Sequence, residues 1–592
     1  MVAKLLANKA LFTALAIALL ILPGIVSARD VVSNSADWRD VYSTILYGNL
    51  AGASPHFLTG TAHGPILLFE IPKSSERVEI ITSADKPFYV GYESLMRSKG
   101  YNNTDETILE SANLELATRL PEINKFIVLD DAYGYNALAV APYAAKAKHY
   151  VLFANSRNID DITDFLSTKQ VGQILIYGHV DREVRAALSQ YNPEIIDSET
   201  GSRFENNMRI VEKYSEVGSI KQVILSNGEF IETSMMTGNE PVLFIGKNNV
   251  PQEVKDFIKQ KGVEIGVLIG NELIGTATDI RRQLGISVFV KFARGSRVPG
   301  GTISPVEDLD RFPMPSYRLS ISITGISYNR ATGQLEVTYK NNANIATYLR
   351  TTITVKKSDG ETILVTGDED TIFLDGEETK TVVYQLEGLE LTDNELEQLS
   401  AEIYTIYGES KQSLENVLRG TFKIEIISIQ DDADISIKDL VYDKTKGKFY
   451  VTIENVGPVD AYVSAELIDL WVNRAYVTVS SDDVIKIEKG KSKEIPISIR
   501  LEEEDLESDR NSVITVRGIF GERRNALIRI KTAEFELKIK SSIAYQYVLI
   551  LVAIGIIIWL ILAFRKKKKC QRCRTANDSD AKVCKKCGHD LR

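Results

Sequence analysis

Ile543 to Phe564 is a run of 22 residues without one charged side chain, and Arg565 and Lys566 to Lys569 follow it at once. As a helix rising about 1.5 Å per residue, such a run reaches across a bilayer core of about 30 Å. Gln546 is its one strongly polar member, and Tyr545, Tyr547 and Trp559 lie toward its ends, where amphipathic rings settle at the membrane interface. The basic cluster after it is expected to stay in the cytoplasm. At the other end, Lys4 and Lys9 precede an apolar stretch from Leu11 to Leu22, and Val26-Ser27-Ala28 offers a small-residue cleavage site. Residues 1–28 read as a secretory leader. The two ends predict a single-pass protein of the cell membrane, with residues 29–541 outside and 565–592 inside.

Charge follows the same division. The 592-residue chain has a formal net charge of -10. The tail from 565 holds 11 Lys/Arg against 3 Asp/Glu and the leader adds two lysines, so the rest of the chain carries -20. An exterior this acidic disfavours capture of nucleic acid or other polyanions. All four cysteines lie within the last 23 residues, which excludes a disulfide-built exterior.

Those cysteines form two CxxC pairs, Cys570/Cys573 and Cys584/Cys587, ten residues apart. Four soft thiolates at this spacing suit a tetrahedral Zn2+ with no open coordination position, hence a structural site. A pair of redox dithiols is the alternative, and no βαβ pattern surrounds them. CQRC…VCKKCGHDL resembles the short zinc-ribbon modules of microbial proteins.

Residues from about 40 to 295 carry a repeated α/β pattern. In the second copy, strand 126–129 is followed by a helix over 134–146, strand 150–153, a helix over 159–166, strand 173–178 and a helix over 181–188. The third copy has strands 223–225, 241–244 and 267–270, with helices over 251–261 and 279–284. In the first, Ile45–Tyr47, Pro65–Phe69 and Phe88–Gly91 read as strands, and Gly91, Gly178 and Gly270 as matching points. Alternation of this length predicts parallel sheets. The order of elements, together with Asn136-Ala-Leu-Ala-Val-Ala-Pro-Tyr-Ala-Ala-Lys146, resembles the cell wall-binding repeat 2 family, which occurs as three tandem copies. The resemblance implies three α/β units around a pseudo-threefold axis that hold a protein on anionic wall glycopolymers. The family's aspartate is replaced by Asn136 in the second copy and by Glu232 in the third.

Beyond a Gly/Pro-rich linker the pattern changes to short alternating strands, repeated at an offset of 114: Ile321 matches Ile435, Tyr328 matches Tyr442, and Asn341 matches Asn455. Two antiparallel β-sandwiches are predicted. They resemble immunoglobulin-like spacer modules of the CARDB kind. The expected architecture is therefore multidomain: leader 1–28; α/β repeats 40–115, 116–206 and 207–295; linker 296–316; β-sandwich domains 317–430 and 431–540; a transmembrane helix 543–564; and a basic zinc-ribbon tail 565–592.

Asp130 and Asp131 end a predicted strand, where α/β sheets bind ligands, and with Asn136 they are the candidate ligand-binding residues. A polar loop capping the next helix is the plainer reading of the pair. Acidic runs at Asp368-Glu369-Asp370 and Glu502 to Asp505 are candidates for Ca2+ or for a solvated surface. Asn102-Asn103-Thr104 is a glycosylation sequon at Asn102. The histidines show no HExxH spacing, and no GxGxxG, GxxxxGK or GxSxG motif occurs, so no catalytic residues are assigned. The expected function is non-enzymatic: a membrane-anchored surface protein whose repeats bind cell-envelope glycan or surface-layer neighbours. Its partners would be that envelope, the lipid bilayer and a cytoplasmic partner of the zinc ribbon. A receptor signalling through the ribbon and an envelope polysaccharide hydrolase are the alternatives.

Overall fold

The structure, a computed structural model, describes residues 29–293, 308–386, 392–540, 552–559 and 567–591. Three parallel sheets of one topology come first. β1 (Arg29–Asn34), β2 (Ser54–Phe57), β3 (Arg77–Ser83) and β4 (Thr104–Leu109) lie in the order β2-β1-β3-β4. β5 (Lys125–Leu129), β6 (Tyr150–Phe153), β7 (Gln173–Tyr177) and β8 (Glu194–Ile196) repeat it as β6-β5-β7-β8. β9 (Gln222–Ser226), the short β10 (Phe230–Ile231), β11 (Val242–Phe244), β12 (Ile265–Ile269) and β13 (Ser287–Lys291) give β11-β9-β12-β13, with β10 outside the sheet. Every pairing within the three sheets is parallel.

Five helices set how the sheets meet: α1 (Trp38–Leu50), α2 (Ala112–Thr118), α3 (Tyr135–Ala147), α4 (Arg203–Tyr214) and α5 (Gln252–Lys261). α1 and α3 are buried over most of their length rather than along one stripe. Ala137, Ala139, Ala141 and Ala144 keep α3 thin enough for close neighbours. α1, α3 and the turn Thr233–Met236 follow the first strand of their sheets and touch one another pairwise. Asn49 Nδ2 donates to the Met236 carbonyl at 2.8 Å, joining first repeat to third. The three repeats thus share one apolar core.

Two buried asparagines stitch successive repeats. Asn113 on α2 donates to Val151 O (2.9 Å) and accepts from Phe153 N (3.1 Å), both on the edge strand β6 of the next sheet. Asn207 on α4 does the same for β11, through Val242 O (2.9 Å) and Phe244 N (2.7 Å). A side-chain amide presents an NH2 donor and a carbonyl acceptor in one plane and so satisfies both groups of a buried strand edge.

The second and third copies have their expected strands. The first copy does not. Ile45–Tyr47 lies inside α1, Pro65–Phe69 is mostly the short helix Gly64–Leu67, and Phe88–Gly91 is a loop. The apolar run at 45–47 comes from a helix buried on every side, whereas β2 (SPHF) and β4 (TDETIL) are too polar to read as strands. The first repeat also begins at Arg29, not near 40. The structural partner of Gly178 is Ala84 rather than Gly91: Ala84 N reaches Leu109 O and Gly178 N reaches Ile196 O, each at 2.8 Å. The helix read over 279–284 starts at Ile274.

Part of the predicted linker is folded. Residues 294–307 lie outside the described residues, but β14 (Phe312–Pro313) pairs with β10, and Phe312 and Met314 are buried against the repeats. Gly134 lies so close to Met314 that a Cβ there would stand 2.5 Å from its side chain.

The first sandwich packs the sheet of β15 (Ile321–Asn329), β16 (Gln334–Asn341), β20 (Thr379–Gln385) and β23 (Glu425–Ile427) on that of β17 (Thr347–Lys356), β18 (Thr362–Gly367), β21 (Ser400–Gly408) and β22 (Asn416–Lys423), with β19 (Ile372–Leu374) beside β17. The second sandwich starts with β24 (Ile435–Asp443) and β25 (Lys448–Asn455). Their register reproduces that of β15 and β16 at the 114-residue offset, down to a bulge between Ile323 and Gly325 in one and Ile437 and Asp439 in the other. Asn341 and Asn455 each turn inward to donate to a carbonyl four residues on, at 2.8 Å.

The chain divides into two compact units. The first holds the α/β repeats and the first sandwich, and the second holds most of the second sandwich. Within the first unit, Arg203 at the start of α4 joins the repeats to the loop 409–415 between β21 and β22. Its backbone N–H donates to Glu409 Oε1 at 2.9 Å, and its guanidinium to Glu409 Oε2, the Tyr317 hydroxyl and, at 3.4 Å, Glu415 Oε1. The rings of Tyr135, Phe204 and Tyr317 stack on it at 4.6, 4.6 and 5.1 Å.

The leader lies outside the described residues, as does most of the predicted span, of which 552–559 is helical. No helix among the described residues is long and apolar enough to cross a membrane.

Asn207→Ala leaves a buried N–H and a buried carbonyl of β11 without partners, at about 1–3 kcal/mol each. Urea unfolding should show a loss of about 2–4 kcal/mol. A loss below about 1 kcal/mol would mean that the edge strand is satisfied some other way.

Candidate functional site

A depression of about 710 Å3 opens at the boundary of the first and second repeats. It lies beyond the carboxyl ends of β1, β3 and β5, the position at which open α/β sheets receive ligands. Asp37, Asp40, Asp85, Glu110 and Glu115 line it from the first repeat, Asp131 and Asp161 from the second, against two cations, Arg39 and Lys86. Phe153, Ile162, Leu109 and Ile108 supply apolar floor and wall.

The charges are graded in depth. Asp40 is buried, accepting from Ser35 Oγ at 2.8 Å and Ala112 N at 3.0 Å. Burial, with the charge of Asp37 adding to it, raises its pKa in spite of those bonds. Asp37 caps α1 through Arg39 N and is held below the ordinary carboxylate range: burial opposes this, but Arg39 and Lys86 outweigh it. Arg39 is the pivot, reaching Asp37 at 2.8 Å and Asp131 across the boundary at 2.6 Å. Asp85, Glu110, Glu115 and Asp161 at the rim are exposed.

The three residues singled out from sequence take separate parts. Asp131 lines the cavity, tied to Arg39 and to Asn155 Nδ2 at 3.1 Å. Asp130 accepts from Ala132 N at 2.7 Å and shapes the turn, and burial raises its pKa, with Asp131 adding to the rise. Neither caps α3, whose N-cap is Gly134 without a side-chain bond. Asn136 faces Gly178, where an added Cβ would meet its Nδ2 at 2.6 Å, so it packs over the end of β7 outside the cavity lining. Glu232 is buried and paired with Lys291. Sequence reasoning missed Asp37, Glu110 and Asp161, which converge only after the first two repeats have packed.

The other candidates resolve locally. Asp368 turns inward to accept from Thr351 N at 2.7 Å, and burial pushes it up to about 6. Glu502 and Asp505 form a capping box on the short helix Glu503–Leu506. These bonds give Asp368, Glu502 and Asp505 structural roles. His56 pairs with buried Asp30 at 2.9 Å, and His149 is buried, which presses it down to about 4. Asn102 is exposed.

In the tail, the four Sγ atoms of Cys570, Cys573, Cys584 and Cys587 lie within 4.8 Å of one another, with Cys570–Cys587 at 3.6 Å and Cys573–Cys584 at 3.5 Å. A tetrahedral ion with bonds of about 2.3 Å to sulfur wants edges of about 3.8 Å, so the set fits a metal such as zinc. Each knuckle turns through a left-handed residue after its second cysteine, Arg574 (φ +56°) and Gly588 (φ +66°). Elemental analysis of the full chain should find about one bound metal ion per molecule, lost in Cys584→Ser. Metal-free protein purified without chelator would contradict the assignment.

No family model matches the chain, and no curated protein is significantly similar to it. Among solved structures, Cwp6 from Clostridium difficile aligns over 45% of this chain and 41% of its own length, at 14% identity and a TM-score of 0.34. The chain thus spans about two fifths of that protein. The periplasmic chaperone SfaE aligns over 38% of this chain and 100% of its own, at 11% identity and a TM-score of 0.13. Red sea bream transglutaminase aligns over 38% and 32%, at 10% identity and a TM-score of 0.13. Likenesses at this level carry no functional inference.

Proposed function

We propose that this chain is a membrane-anchored cell-surface protein whose three α/β repeats bind envelope glycan or a surface-layer neighbour, with the sandwiches as spacers and zinc in the tail. The observation that carries the reading is the cavity between the first two repeats. It combines an apolar floor with carboxylates at several depths, a set that accepts hydrogen bonds from the hydroxyl and amino groups of a sugar chain. Seven carboxylates against two cations disfavour the anionic polymers that the family resemblance implies. Anchoring rests on the uncharged run 543–564 and its basic stop, and the cysteine cluster supplies folding energy that so short a tail lacks. No chemistry is assigned to the cavity: its carboxylates are tied to Arg39, Ser35 and backbone amides or stand at the rim, so the protein is read as a binder rather than an enzyme.

Residues 29–541 should cosediment saturably with envelopes of the source organism. The rim reversal Glu110→Lys with Asp161→Lys changes only exposed side chains and should weaken binding at least tenfold with unfolding behaviour unchanged. Undiminished binding by that variant would remove the cavity from the account. Absence of binding by the parent would remove the envelope reading and favour a receptor acting through the tail.

A further inference from the structure

The junction between the repeats and the first sandwich holds more carboxyl groups than it can neutralise. Arg203 is the guanidinium at its centre. Glu409 and Glu415 approach it from loop 409–415, with side chains 9% and 5% exposed. Glu253 on α5 accepts from Ser413 Oγ at 2.6 Å, and Ser413 Oγ in turn meets Ser202 Oγ at 2.5 Å. The two carboxyls at Arg203 are not equivalent. Glu409 takes both the backbone N–H and the guanidinium. Glu415 has one 3.4 Å contact, and its Oε2 is buried without a hydrogen-bond partner among the described residues. An ionised carboxylate oxygen left bare in a dry interface is costly, whereas the neutral acid tolerates it.

Packing allows little escape. Asn249 of the repeats donates its N–H to Glu415 O at 3.0 Å and its Nδ2 to Leu414 O at 2.6 Å. Gly246 lies against Glu415 so tightly that a Cβ there would overlap the Glu415 side chain and backbone. The charged and titratable groups around Glu415 are Arg203 and Glu205 from α4, Glu253 from α5 and Glu409 and Tyr407 from the sandwich, with Tyr135 and Tyr317 covering the guanidinium. Lys247 and Lys411, on the two loops that meet here, are exposed.

We infer that the junction is a proton-dependent latch: Glu415 docks as the neutral acid beside an Arg203–Glu409 ion pair, and losing that proton loosens the repeats from the first sandwich. The local electrostatics agree. Burial pushes Glu415 up to about 8; Arg203 pulls against this and the charge of Glu409 adds to it. Glu409 and Glu253 are also raised, burial being the main cause in each. A carboxyl whose folded pKa is raised contributes stability that is complete below its unfolded value, near 4.5, and is lost as pH rises through about 8. The latch is tightest below about pH 4.5 and slackens progressively as pH rises toward about 8.

Hydrogen exchange of the full chain, expressed as protection relative to intrinsic rates, tests this. Protection in 246–250 and 409–415 should fall at least tenfold between about pH 6 and pH 8, since each pH unit in that window changes opening by up to about tenfold. Amides of β24 and β25 should not follow. Glu415→Gln mimics the neutral acid and should hold the junction protected across the range. Glu409→Gln leaves one carboxyl for one guanidinium and should also flatten the profile, which decides the matter if the first variant misfolds. Constant protection in the parent, or a slope that persists in the folded variants, would overturn the proposal.

Discussion

One buried guanidinium stands at the centre of the contact between the three repeats and the first sandwich. Arg203 stands at the first turn of α4, where the chain leaves the second sheet, and it is enclosed by Tyr135, Phe204 and Tyr317. Taking such a charge out of water is expensive unless carboxylates and hydrogen bonds meet it there. Loop 409–415 supplies them, and the backbone contacts of Asn249, the close approach at Gly246 and the Ser202–Ser413 contact then follow. β14, added to β10 on the way into the first sandwich, ties the same two parts together through the chain itself. Phe312 and Met314, in the stretch read as a linker, thus become part of the core.

How legible this was depends on where each element hides its polarity. The second repeat could be read strand by strand because its parallel strands are buried on both faces and are nearly pure apolar runs, FIVL, YVLF and ILIY. The first repeat has the same topology written in polar strands, while its most apolar stretch belongs to a helix buried all round. Periodicity fails in both cases, since a fully buried helix shows no stripe. The sandwich repeat was legible to the residue because turn and bulge positions recur with the side chains, as the shared register of β15–β16 and β24–β25 shows. The cysteine pairs were legible because metal spacing is local. The cavity and the Arg203 junction were not, because each gathers charges from segments far apart in sequence.

Three sheets of one topology give three candidate positions at their carboxyl ends, and they have diverged. At the third, Glu232 is consumed by Lys291; at the second, Asn136 packs over Gly178. At the boundary of the first and second, Arg39 bridges Asp37 and Asp131 beside an acid-walled opening. The functional proposal therefore rests on one boundary rather than on threefold symmetry.

Carboxyl footprinting of the exterior, with and without solubilised envelope glycan, tests that proposal most directly, because modification of each Asp and Glu is read separately. The account predicts protection concentrated at Asp85, Glu110, Glu115 and Asp161, with the acids of the sandwiches unchanged. Protection spread over the sandwiches, or saturating glycan that leaves those four carboxyls fully reactive, would contradict it.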